Sequence, residues 1–223
     1  KQRGAELILQ RLPYTRMLTG AALLIEYGIA MPLGLLAAVR KNGVADRTRT
    51  ILTIVLWSMP PFWLGVLFIL TFSVWLGILP ISGWDGFASL ILPAFTLALP
   101  SLAQIFRLTR SEVLDVLDEK YVTTAYAKGL KNKVVLVKHV LRNAMIPVTV
   151  MFFLSWPWLI GCAVGFENVF AWPGMGQLMW KAISKQDFVI VQGVVLVITI
   201  LTVICNLIGD ILAGILDPRI RLE

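Results

Sequence analysis

Residues 107–147 read RLTRSEVLDVLDEKYVTTAYAKGLKNKVVLVKHVLRNAMIP, a charged, helix-forming stretch set between long apolar runs. It holds eight of the chain's 20 lysines and arginines. The sequence on either side is mostly lipid-compatible, so this stretch is the largest polar surface the chain offers. Composition agrees. Of 223 residues, 58% are apolar and 15% charged, and mean hydropathy is +0.81. Soluble domains are about half apolar and about a quarter charged. An all-α, polytopic membrane protein follows. A net charge of +7 suits nucleic acid or an acidic membrane surface. Here the basic residues fill the gaps between apolar runs, as in the loops of membrane topology, so nucleic acid is set aside and the lipid bilayer is the expected partner.

Apolar runs of bilayer length predict five spans, at about 18–39, 51–76, 89–106, 144–164 and 188–213. Residues 1–17 form an extracytoplasmic lead-in, residues 217–223 a cytoplasmic tail, and 18–216 the transmembrane domain between them. The Pro60-Pro61 pair is expected to kink the second span, and Pro93 and Pro100 interrupt the third. Loop 40–49 carries four Lys/Arg, 107–143 eight and the tail two, whereas 77–88 carries none and 165–187 two. Positive loops stay cytoplasmic, which places 107–143 and the C-terminus inside and 165–187 outside. Five spans then put the N-terminus outside despite Lys1, Arg3, Arg11 and Arg16, and we expect a further span upstream.

No catalytic constellation is present in the sequence. His139 is the one histidine, and no GxxxxGK[ST] phosphate loop occurs, so ATP chemistry, if used, belongs to another polypeptide. Cys162 and Cys205 read as small buried hydrophobes. Intramembrane acids are functional candidates by default. Asp210 reads as interfacial, whereas Glu26 sits near mid-span, free to serve a pathway or to pair with a neighbouring helix.

Within the charged stretch, Val113, Leu114, Leu117 and Tyr121 recur at three- to four-residue spacing opposite Asp115, Asp118 and Glu119, an amphipathic pattern. Gly129 marks a helix stop, and residues 134–142 restart a helix. Two short helices meeting at Gly129 make a knob. Its small Ala125, Ala127 and Gly129 allow a partner backbone to approach, and Tyr121, Val122, Tyr126 and Leu130 give it unusual apolar density for a water-facing loop.

YVTTAYAKGL followed by KHVLRNAMIPV closely resembles the cytoplasmic loop of ABC-importer permeases of the peptide/nickel type, whose EAA motif docks into a cleft on the ATPase. The family's form is approximately YV-x-TARAKGL and then RH-x-LRNA-x-x-P. Tyr126 stands here where the family usually has Arg, and Thr123 replaces the glutamate of the wider consensus. LPYTRM (12–17), PLGLLAAVRKNGVAD (32–46), SMPPFWLG (58–65), VGFENVFAWPGMGQLMWKAISKQDFVIVQG (164–193) and NLIGDILAGILDPRIRL (206–222) match further family motifs in order. The resemblance implies a permease subunit of an ATP-driven importer in a prokaryotic inner membrane. Its implied cargo is di- or oligopeptides, or alternatively nickel or another metal chelate. A second homologous permease, two ABC ATPases carrying ATP and Mg²⁺, and an extracytoplasmic solute-binding protein are implied as partners, with no cofactor on this chain. It further implies that Tyr121, Val122, Thr124, Ala125, Tyr126, Ala127, Lys128, Gly129 and Leu130 dock the ATPase. Glu167, Phe170, Pro173, Gly174 and Gly176 would meet the binding protein or line an external gate. The rival class is a motor-independent channel or membrane scaffold.

Overall fold

The structure, a computed structural model, describes residues 2–39 and 59–216. Among the described residues every regular element is helical. They are α1 (Gln2–Val39), α2 (Pro61–Phe68, continuing π-helical through Ile69–Trp75), α3 (Ala88–Leu117), α4 (Lys120–Ala127), α5 (Asn132–Val169), α6 (Met175–Ser184) and α7 (Phe188–Leu216). Four of them, α1, α3, α5 and α7, are long and apolar enough to cross a membrane.

The expected span boundaries change in instructive ways. The lead-in 1–17 is not a separate segment: α1 is already helical at Gln2, and its 38 residues run about 57 Å at 1.5 Å per residue. The third span continues as helix to Leu117, and the fourth begins at Asn132. The charged loop 107–143 therefore reduces to a short helix, α4, held between the protruding ends of two spans. Charged residues of good helix propensity simply prolong a helix beyond the apolar slab. The second expected span lies partly outside the described residues. In its described part Pro60 is extended (φ −58°, ψ 125°) and Pro61 opens α2. Proline suits the first helical position and disfavours helix in the residue before it. This pair opens α2, and among the described residues four spans stand where five were expected along the whole chain. The remainder of that run, loop 40–49 and tail 217–223 fall outside the described residues.

Close approach of α1 and α3 makes the centre. Ala22, Ala30, Ala37, Ala94 and Ala98 are buried there with Leu18, Leu97, Ile105 and Phe106. A Cβ on Gly34 would lie 2.8 Å from Thr109 Cβ and 2.9 Å from the Phe106 carbonyl. Small residues let membrane helices pack backbone to backbone, where apolar burial alone gives no preference over lipid. Antiparallel to this pair runs α5: Thr15 meets Glu167 at one end, Tyr27 meets Ser155 midway, and Ala38 packs with Ala144 at the other. Helix α7 lies outermost, with 6% of its most apolar window buried against 72% for α3. Val195, Leu196, Ile200, Val203, Leu207 and Ile211 face outward, as a lipid-covered helix requires, whereas Val194 is buried with Ile8 and Met175. Cys162 and Cys205 are free and half-buried, and Asp210 is exposed on α7.

Candidate functional site: a capped helix, a buried carboxylate and a far-end latch

Helix α3 stops at Asp118, and Glu119 turns extended (φ −71°, ψ 142°) to open α4. Tyr121 thus lies on a new helix and does not continue the stripe of Val113, Leu114 and Leu117. At the other end Gly129 takes φ +77°, its N–H donates to the Tyr126 carbonyl (2.9 Å), and that of Leu130 reaches the Ala125 carbonyl (3.4 Å). These paired bonds are the Schellman arrangement, which places a left-handed residue, usually glycine, after the helix. The expected stop at Gly129 is present, and space is open around its Cα.

The nine expected docking residues divide by face. Val122 and Ala125 point inward and pack with Ala38, Val113, Val135, Val140 and Ala144. Tyr121, Thr124, Tyr126, Ala127, Lys128, Gly129 and Leu130 are exposed. Both tyrosines are tethered to α5. Asn143 Nδ2 donates to the Tyr121 hydroxyl (2.7 Å), which itself donates to the His139 carbonyl (3.4 Å), and the Tyr126 hydroxyl donates to Asn132 Oδ1 (2.8 Å). Their α5 partners lie in or beside the π-helical stretch Val135–Leu141, a geometry frequent at functional sites. Sequence reasoning assigned His139 and Asn143 no part here, and the 18- and 22-residue separations carry no periodic signal.

The opposite end is closed by Glu167, which has no exposed surface. Its Oε1 accepts from the Thr15 hydroxyl (2.6 Å), and its Oε2 accepts from the N–H groups of Gly176 (2.6 Å) and Gln177 (3.3 Å). The N–H of Met175 donates to Thr15 Oγ1 (2.9 Å). A carboxylate on the free N–H groups of a helix N-terminus is favoured by both hydrogen bonding and the helix dipole. Glu167 therefore ties α1, α5 and α6 together. Gly174 is required here because a Cβ would overlap the Glu167 carboxylate, and one on Gly176 would strike the α5 backbone at Val164. The Trp172 indole donates to the Tyr14 carbonyl (3.0 Å) and stands edge-on to Tyr14 and Trp84. The Phe170 carbonyl accepts from Gly83 N–H (2.9 Å), and the Pro173 carbonyl accepts from Arg11 Nη1 (3.2 Å).

Of the five residues expected to meet a binding protein or line a gate, Glu167, Phe170, Gly174 and Gly176 are buried in this latch, and Pro173 is half-buried. Side chains without surface offer a partner nothing in this conformation; their packing is spent within the chain. Tyr14 and Thr15 lie in the LPYTRM motif, but only the fold shows that Thr15 meets Glu167 and Tyr14 meets Trp172. Between the two ends, Glu26 is fully buried beside a cavity, and neither of its oxygens has a hydrogen-bond partner among the described residues.

A family profile described as "Binding-protein-dependent transport system inner membrane component" matches residues 30–222. The chain is 39% identical to the oligopeptide transport system permease protein AppB of Bacillus subtilis, over 97% of this chain and 72% of that one. Against the dipeptide transport system permease protein DppB of Escherichia coli K12, identity is 36% over 90% and 68% of the two chains. The glutathione transport system permease protein GsiC of the same strain shares 38%, over 97% and 71%. In fold, the chain resembles a chain of the inward-facing MetNI methionine ABC transporter, with TM-score 0.81, 18% identity and coverage of 97% and 99%. It also resembles a chain of an amino acid ABC transporter, with TM-score 0.73, 13% identity and 94% of each chain covered. With its helical bundle and these relatives, the chain belongs to the family of binding-protein-dependent transport system inner membrane components.

Proposed function

We propose that this chain is the permease subunit of an ATP-driven importer that carries di- or oligopeptides across a prokaryotic cytoplasmic membrane. The relatives at 36–39% identity named above are permeases of oligopeptide, dipeptide and glutathione systems, which favours peptides as the cargo class. Coupling rests on one observation, the geometry of α4. It is a short capped helix at the cation-rich end of the bundle, with an apolar inner face locked to α1, α3 and α5 and an outer face of tyrosines, Lys128 and Leu130 left uncovered. By the positive-inside rule that end and the C-terminus are cytoplasmic. A second permease, two ATPases holding ATP and Mg²⁺, and an external binding protein complete the assembly.

In this reading the ATPase holds α4 differently in its nucleotide-bound and released states, and that difference in binding free energy biases the bundle between two conformations. Because Val122 and Ala125 are packed among residues of α1, α3 and α5, displacement of α4 moves those helix ends with it. The π-helical stretch Val135–Leu141 of α5 lies next to that handle, a geometry frequent at functional sites. The test is ATP-dependent uptake of trialanine by vesicles reconstituted with this chain and its partner subunits, comparing wild type with Gly129→Asp. The variant puts a charge at the open cap in a backbone conformation that aspartate tolerates at modest cost. Expected is loss of uptake with normal membrane insertion; uptake at the wild-type rate would remove the docking role from α4.

A further inference from the structure

Glu26 lies well inside α1, has no exposed surface, and offers two carboxylate oxygens that nothing in the described chain satisfies. A carboxylate stripped of water and partners is among the costliest groups a membrane interior can hold. It lines a cavity of about 260 Å³ between α1, α3 and α5, together with Ser101, Gln104, Ser155 and Trp158. Ser155 is already engaged, donating to the Met151 carbonyl (2.8 Å) and lying 3.1 Å from the Tyr27 hydroxyl. It therefore does not relieve Glu26. Gln104 and Trp158 stand exposed at the mouth. Gln104 shares this cavity with Glu26, which sits near the middle of the apolar run 18–39. At that depth an amide facing acyl chains would find no hydrogen-bond partner. The mouth accordingly opens on water or protein, as a translocation pathway does, and not on lipid.

The chemistry of the cavity selects its occupant. A primary ammonium carries a full positive charge and three N–H donors, with no acceptor. The cavity presents an amide oxygen and an indole at its mouth, of the kind that attracts cations. Behind them lie the two unpaired carboxylate oxygens of Glu26, which have no surface in this conformation and become reachable as α1, α3 and α5 separate in the transport cycle. Its volume falls below the roughly 300–1,000 Å³ of pockets that enclose whole ligands, so it fits one end of a cargo molecule. We propose that Glu26, with Gln104 and Trp158, is a subsite of the transport pathway that binds the free α-ammonium group of a peptide in transit. This rests on the peptide-import reading above and names the part of the peptide that the membrane subunit itself recognises.

Two measurements separate the inference from that reading. Vesicle uptake of trialanine tests peptide import. Binding of trialanine and of N-acetyl-trialanine to the solubilised complete transporter, without its external binding protein, tests the subsite. Trialanine is expected to bind the wild type more tightly than its acetylated form. Glu26→Gln should weaken trialanine binding by at least about tenfold, the scale of one charged hydrogen bond, and leave the acetylated peptide unchanged. Gln104→Leu, on a different helix, should shift trialanine binding in the same direction, which keeps the test valid if the Glu26 variant folds poorly. Wild-type binding that ignores acetylation, or equal losses for both peptides in Glu26→Gln, overturns the subsite while leaving peptide import standing. Absence of uptake in the wild type defeats both.

Discussion

Replacing Glu167 by glutamine keeps the shape of the far-end latch and removes its charge. The carboxylate accepts hydrogen bonds from Thr15 Oγ1 (2.6 Å), Gly176 N–H (2.6 Å) and Gln177 N–H (3.3 Å) in a site with no exposed surface. Hydrogen bonds to a charged group contribute about 1.5–3 kcal/mol, against about 1 kcal/mol for neutral pairs. Glutamine keeps one acceptor oxygen, which stays on the Gly176 and Gln177 N–H groups, while its amide nitrogen faces Thr15 and reverses that bond. The two short contacts therefore lose about 1 kcal/mol each, and the loss of negative charge at the α6 N-terminus adds about 1 kcal/mol more. The sum is about 3 kcal/mol. For a chain of this size each kcal/mol moves Tm by about 2–4 °C, so Glu167→Gln should melt about 6–12 °C below wild type. Glu167→Ala should fall further, because it orphans the Gly176 N–H and the Thr15 hydroxyl in a buried site at about 1–3 kcal/mol each. Thermal unfolding in detergent, followed by tryptophan fluorescence, reads the change directly, since Trp172 and Trp84 pack against this latch. Hydrogen exchange at Gly176 and Gln177 should accelerate in parallel. A glutamine variant melting within about 1 °C of wild type, with exchange at those amides unchanged, would falsify the latch.

Other consequences follow from the same geometry. Gly34→Leu should force α1 and α3 apart, because even a Cβ meets Thr109 and the Phe106 carbonyl at 2.8 and 2.9 Å; overpacking of this kind costs about 1–3 kcal/mol, measurable as a lower Tm, and a wild-type melting curve would count against the close packing. Tyr126→Phe removes the bond to Asn132 (2.8 Å) at about 0.5–1 kcal/mol, so amides at 128–131 should exchange faster while Tm barely moves. Tyr126→Arg, which restores the residue usual in the family, should preserve the fold and alter only ATP-dependent uptake; a large stability loss would show that the ring packs more than its exposure indicates.

Much of the architecture is written in the order of residues. Apolar runs of bilayer length set the helical class, and Gly129 marked a stop because left-handed backbone after a helix favours glycine. The charged stretch singled out the segment that forms α4, and the ordered motifs pointed to the family. Helix ends were less legible: hydropathy reports where lipid stops, whereas α1, α3 and α5 continue into water for as long as their residues favour helix. For the same reason 107–143 read as a loop, although most of it prolongs two spans. Pro60-Pro61 shows a related limit, since proline signals a break without saying whether a helix bends there or begins.

Partnership was decided only in three dimensions. Glu167, Phe170, Gly174 and Gly176 read from the sequence as a presented external motif, yet Thr15, more than 150 residues away, meets the carboxylate and the α6 N-terminus completes the latch. Glu26 was legible as an unusual intramembrane acid, but its lack of a partner among the described residues, and the cavity it shares with Gln104 and Trp158, arise from α1, α3 and α5 packing together. Hydrophobicity and helix propensity act along the chain and can be read from it. Whether a buried charge is paired depends on which distant residues the packing brings within hydrogen-bonding distance, and no local pattern records that.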